Sequence, residues 1–151
     1  MGAVERKTLG THRMKPLLTT RSLSVGHGAL PLISDINCEL RAGELVALIG
    51  VNGGGKSTLL NTLAGLHAPI SGDVLLEDSP LRQMSAAQRA RHIALVLTGR
   101  PQAGLLDVHT LVALGRQPWT GHFGRLSAED LRQVDAAMEA TGVAPFANRS
   151  L

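Results

Sequence analysis

The pattern of hydrophobic and polar residues changes period along this chain. Residues 1 to about 15 are charged and without period, and read as a loose tail. Leu17 to Val25 is a first strand, closed by Gly26-His27-Gly28. Ile36, Cys38 and Leu40 alternate with Asn37, Glu39 and Arg41, the pattern of a half-buried strand. Ala42-Gly43 is a turn. Leu45-Val46-Ala47-Leu48-Ile49 is apolar at every position, as a parallel strand covered on both faces is. A helical run then reaches about Ala64 and stops at Gly65. Pro69 to Gly72 turns, Asp73 to Glu77 is a short strand, and Asp78-Ser79-Pro80 turns again. Ser85 caps a short helix to Arg91. Ile93-Ala94-Leu95-Val96-Leu97 is a second fully apolar strand. Strands alternating with helices, two of them apolar throughout, predict an α/β fold with a parallel sheet.

The pattern becomes helical after Thr98. Gly99 to Gly104 is a loop, and Asp107 can cap a helix from Val108 to Arg116. Gln117 to Arg125 is a further loop. Ser127-Ala128-Glu129-Asp130 resembles a capping box with Asp in place of the usual Glu. Leu131, Val134 and Met138 share one face of a helix that ends at Gly142.

Composition narrows the classes. At 151 residues and 44% hydrophobic content, the chain suits one modest domain. No apolar run approaches the ~20 residues of a membrane helix. Met1 to Lys15 has no apolar centre and is not a signal peptide. The single cysteine, Cys38, excludes an internal disulfide and suits a reducing compartment. The net charge of +3 is mild. With no Tyr, two Phe and one Trp, a base-stacking surface for nucleic acid is not expected.

The chemistry concentrates in Gly50-Val51-Asn52-Gly53-Gly54-Gly55-Lys56-Ser57-Thr58, which fits G-x-x-x-x-G-K-[ST]. An apolar strand precedes it and a helix follows, the context the motif requires. Gly50, Gly53, Gly54 and Gly55 free the backbone to wrap closely and turn successive N–H groups inward. The helix adds unpaired N–H groups and its positive end. Lys56 places a compact cation on the outer phosphates, and the Ser57 hydroxyl is a hard oxygen ligand suited to Mg2+. Elsewhere His12, His27, His67, His92, His109 and His122 are scattered, without zinc-site spacing. Neither a G-x-S-x-G elbow nor a G-x-G-x-x-G opening a helix is present.

Taken in order, these phrases resemble an ABC-transporter ATPase over most of the chain. They are Leu23-Ser24-Val25, Ala42-Gly43-Glu44, the phosphate loop with Asn52, Ser71-Gly72-Asp73-Val74, and Arg89-Ala90-Arg91-His92-Ile93-Ala94. Leu111-Val112-Ala113-Leu114-Gly115-Arg116 resembles a helix of importers of iron-siderophores, haem and cobalamin. The resemblance implies the N-terminal part of a P-loop NTPase core over 16–98, an incomplete α/β fold with a parallel sheet plus antiparallel N-terminal strands. The start of a helical subdomain follows over 99–151. It implies ATP and Mg2+ as ligands, with Gly50, Asn52, Gly53, Gly54, Gly55, Lys56, Ser57 and Thr58 around the phosphates and Ser57 on the metal. His27 stands where the family stacks an aromatic ring on adenine; it is equally well a turn histidine near the surface. Thr98 stands where the family usually has the Q-loop Gln that contacts Mg2+, and Gln102 lies four residues on. The implied partners are permease transmembrane subunits, met by the helical region that carries Trp119, and a second ATPase subunit in a head-to-tail dimer. The implied location is the cytoplasmic face of the cell membrane.

The family's L-S-G-G-Q signature, the strand ending in Asp-Glu and the switch histidine do not occur within these 151 residues. Asn148-Arg149-Ser150-Leu151 resembles the lead-in to the signature. The chain therefore holds no catalytic residue of its own, and is expected to hydrolyse ATP slowly or not at all. Unpaired apolar strand edges would also make it aggregation-prone. Two other classes remain: another P-loop enzyme such as a small-molecule kinase, and a nucleotide-binding fragment that does not hydrolyse.

Overall fold

The computed structural model describes residues 4–7, 15–96, 99, 106–121 and 124–150. The chain divides into two compact units, Met1–Arg89 and Ala90–Leu151.

The first unit is built on a long antiparallel hairpin. Strand β2 (Leu18–His27) pairs with β3 (Leu30–Leu40), and β5 (Ser71–Leu76) pairs with the other edge of β2. A two-residue strand β6 (Ser79–Pro80) completes the order β3-β2-β5-β6. β2 buries Thr20, Leu23 and Val25, a spacing broken by a bulge at Ser22, where φ is +42°. The Thr20 hydroxyl donates to Ile36 O at 2.9 Å and accepts from Cys38 N at 2.9 Å, so this buried polar side chain reinforces the ladder. Val74, Leu75 and Leu76 of β5 are buried with Leu59 and Leu81. Helix α1 (Lys56–Leu63) supplies Leu59 to this core and ends before Gly65, whose φ is +72°.

The two runs that are apolar at every position depart from expectation. Leu45–Leu48 is strand β4, but its partner is β1 (Val4–Lys7) and the pairing is antiparallel. Leu45 is 80% exposed and Ile49 55% exposed. Residues 93–96 form no strand, and Val96 is 95% exposed. Every strand pair among the described residues is antiparallel, so the expected parallel sheet is not formed among them. An apolar run records a tendency to be buried; it does not carry the identity of its neighbour, which is set by residues far along the chain. Val4–Lys7, placed in a loose tail by its charge, is a strand because β4 offers it an unpaired edge.

The second unit is helical. Its elements are α3 (Val108–Leu114) and α4 (Ala128–Ala140), preceded by the one-turn α2 (Ala86–Ala90) that straddles the boundary. Asp107 caps α3 by accepting from Thr110 N at 2.7 Å. Ser127 and Asp130 make the predicted box: Asp130 N donates to Ser127 Oγ, and Ser127 N donates to Asp130 Oδ2. Val134 and Met138 are buried, but Leu131 is 42% exposed and Asp130 takes its place inside. Asp130 is held there by Arg116, whose Nε lies 2.9 Å from Oδ1.

This arrangement predicts an acid response. The hydroxyl and N–H of Ser127, and then the Arg116 guanidinium, hold the Asp130 carboxyl down from 3.8 to about 2. A carboxylate depressed on folding contributes stability that is complete above its unfolded value and is lost as pH falls through its folded value. Asp130→Asn is therefore expected to melt lower than the parent at pH 6, with the gap closing between about pH 4 and pH 2. Thermal melts followed by circular dichroism read that gap; a gap constant across the window would refute the assignment.

Candidate functional site

β4 delivers the chain to Gly50, and the loop from there to α1 is shaped by two glycines in the left-handed region. Gly53 has φ +77° and Gly55 φ +84°. Gly55 has a second constraint. A Cβ there would lie 3.1 Å from Ile33 Cγ1 and 3.2 Å from Leu32 Cβ, so the loop closes directly onto β3. Gly54 N donates to Val51 O at 3.2 Å, tightening the turn.

Gly55 is also the N-cap of α1, and no side chain caps this helix. The bond from Leu59 N to Gly55 O, 2.8 Å, opens the intrahelical ladder. Helix geometry therefore leaves the N–H groups of Lys56, Ser57 and Thr58 without an acceptor inside the helix. Those donors stand at the positive end of the helix dipole. Lys56 folds back over the loop, its Nζ donating to Gly50 O at 2.8 Å and Val51 O at 2.7 Å. An ammonium has three donors, so one remains for a ligand. The loop thus gathers a cation, a row of N–H donors and the exposed hydroxyl-bearing Ser57 on eight-residue α1. Such a set can hold an anion with several oxygens. Thr58 is buried, and its N–H is the last of this row of donors. Asn52 is exposed on the loop.

His27 ends β2, is exposed, and pairs with Leu30 across the turn at Gly28. Val25, two residues before it, pairs with Ile33, the residue that backs Gly55. The end of the hairpin that carries His27 is therefore the end on which the loop rests. Thr98 and Gln102 lie outside the described residues.

The sequence profile of the ABC transporter family matches residues 33–151, beginning at the isoleucine behind the loop. The chain belongs to the ABC transporter family. The petrobactin import ATP-binding protein FpuD of Bacillus anthracis is 37% identical over 138 residues, covering 91% of this chain and 50% of that protein. The hemin import ATP-binding protein HmuV of Bordetella pertussis is 42% identical over 134 residues, covering 87% of this chain and 49% of that protein. Among solved structures, a chain from a metal-chelate type ABC transporter in an inward-facing conformation superposes with a TM-score of 0.71 at 26% identity. That superposition covers 91% of this chain and 49% of the other. This ABC transporter chain spans about half the length of the curated relatives it matches.

Among the described residues of this family member, no three or more His, Cys, Asp or Glu side chains gather as a metal site. No helix there is long and apolar enough to cross a membrane. Leu32 and Ile33, which back the loop, were not legible as site residues. Ile33 falls out of step with Leu30, Leu32 and Ile36 and so breaks the alternation of its strand, and that irregularity is a local sign of a special surface.

Proposed function

We propose that this chain is the Mg-ATP-binding part of an ABC importer subunit. The observation that carries the proposal is the uncapped N-terminus of α1, entered from a left-handed glycine with Lys56 folded over the loop. The N–H groups of Lys56, Ser57 and Thr58, with the Lys56 ammonium, hold the outer phosphates. The backbone of Gly50, Asn52, Gly53, Gly54 and Gly55 gives the loop the shape to approach them. Ser57 offers its exposed oxygen to Mg2+, and bound Mg2+ supplies charge neutralisation on those phosphates. His27 lies at the hairpin end beside the loop and stacks on adenine. Thr98, at the Q-loop position in sequence, would offer its hydroxyl on the Mg2+ side. The whole protein pairs head to tail with a second ATPase subunit. It works on permease subunits at the cytoplasmic face of the membrane, to power uptake of an iron chelate, haem or cobalamin. The relatives named for petrobactin and hemin import support that cargo class.

Phosphate contacts dominate this site, so ligands should rank by their phosphates. Mg-ATP and Mg-ADP are expected to raise the melting temperature of the chain, and AMP at the same concentration to leave it unchanged. An equal rise with AMP would remove the phosphate loop from the proposal. Turnover is a separate matter. Positioning and polarising the attacking water needs groups beyond a phosphate cradle. The 151-residue chain is therefore expected to release phosphate from ATP no faster than its Lys56→Ala variant. A clear excess over that variant would show that these residues hydrolyse ATP without an Asp-Glu pair.

A further inference from the structure

Helix α1 carries Lys56, Ser57 and Thr58 at one end, so its placement along its own axis fixes theirs. A helix of eight residues is about 12 Å long and shifts as a rod. Its far end lacks a basic residue in the last turn, leaving the negative end of its dipole without a cation from its own sequence. Arg89 supplies one. A Cβ on Gly65, just past the helix, would lie 2.8 Å from Arg89 Cδ and 3.0 Å from Nε. Arg89 Nη1 donates to Met84 O at 2.7 Å and Leu81 O at 3.4 Å, which ties the guanidinium to the buried Leu81 turn. The helix that carries Arg89 is itself set by a reciprocal cap. Gln88 N donates to Ser85 Oγ at 3.2 Å, and Ser85 N donates to Gln88 Oε1 at 2.7 Å. Beside Arg89 and Gly65, a cavity of about 190 Å³ lies against Thr62 and Leu81. That space gives the end of α1 room to move when the arginine is removed.

We propose that Arg89 is a positioning residue for the phosphate loop. It braces the C-terminal end of α1, and so holds Lys56, Ser57 and Thr58 where nucleotide phosphates meet them. This rests on the loop being the Mg-ATP site. Arg89 touches no ligand; it acts through the helix. Displacing a binding group by an ångström is enough to cost an order of magnitude or more.

The test is titration calorimetry of Mg-ATP against the parent chain, Arg89→Ala and Arg89→Met, with the melting temperature of each measured without ligand. Methionine keeps the stem over Gly65 and removes the bonds to Leu81 and Met84, so it folds more readily than alanine and decides the matter if alanine does not fold. Both variants are expected to bind Mg-ATP about tenfold more weakly, and Arg89→Lys, which keeps stem and cation, to recover most of the loss. An affinity within twofold of the parent in Arg89→Met, with only the melting temperature lowered, would make Arg89 a purely structural residue and overturn the proposal. Absence of binding by the parent chain would instead overturn the Mg-ATP reading of the loop, and this proposal with it.

Discussion

Lys56→Ala is expected to lower the affinity for Mg-ATP by about 100-fold or more, while the chain keeps its fold. The expected size comes from what the ammonium does. In the proposed site it is a full charge beside the outer phosphates, and charge-assisted hydrogen bonds are worth about 1.5–3 kcal/mol each before through-space attraction is counted. The fold survives because Lys56 packs into no core. Its stabilising contacts are two bonds to the exposed loop carbonyls Gly50 O and Val51 O, which water can replace. The N–H donors at the start of α1 remain, so weak binding of the anion persists in the variant. Lys56→Arg is a sharper control: the charge is kept, but a planar fork cannot reproduce a compact ammonium seated on two carbonyls. Equilibrium dialysis with labelled nucleotide reads all three proteins. Equal affinities for the parent and Lys56→Ala would end the assignment of this loop as the phosphate site.

What could be seen in the sequence, and what could not, divides by range. The caps at Asp107 and Ser127 and the stops at Gly65 and Gly142 are devices within four residues of chain, and their residue types state the geometry. The shape of the loop before α1 is legible for the same reason: its glycines and its lysine are neighbours. The neighbours of β4 were not legible. Leu45 to Ile49 is apolar throughout, yet its ladder runs to Val4–Lys7, a stretch whose charges show no strand period. The 93–97 run is as apolar, and its described residues form no ladder. α4 gives the same lesson at one residue. Period places Leu131 inward, but the ion pair with Arg116 draws Asp130 inside and turns Leu131 toward solvent. A long-range charge partner outweighs a local hydrophobic pattern once both hydrogen bonds and charge are satisfied.

Gly72→Ala is expected to unfold a large fraction of the chain, although the residue reads in sequence as part of a turn. Gly72 enters β5 with φ +77°, a region that costs a side-chain-bearing residue about 1–2 kcal/mol. Space is the larger obstacle. A Cβ at this position would lie 2.3 Å from Ser22 O and 2.4 Å from Arg21 O. Both are backbone atoms of β2, so no rotamer change relieves the overlap. The two carbonyls sit at the register shift between Arg21 and Ser24, where β2 bulges toward β5. Accommodating a methyl group means separating the strands beside Leu23 and Val25, both of them completely buried. With overpacking at about 1–3 kcal/mol or more added to the dihedral cost, the change takes a large share of the roughly 5–15 kcal/mol that holds a domain together. Gly28→Ala is the matched control. Its φ of +60° is similar, but nothing lies within 4 Å of the added atom. It should therefore lose only the dihedral share. Urea melts of the two variants separate strain from overlap: a similar loss in both would place the whole effect in the dihedral and remove the bulge at Ser22 as the reason this position is glycine.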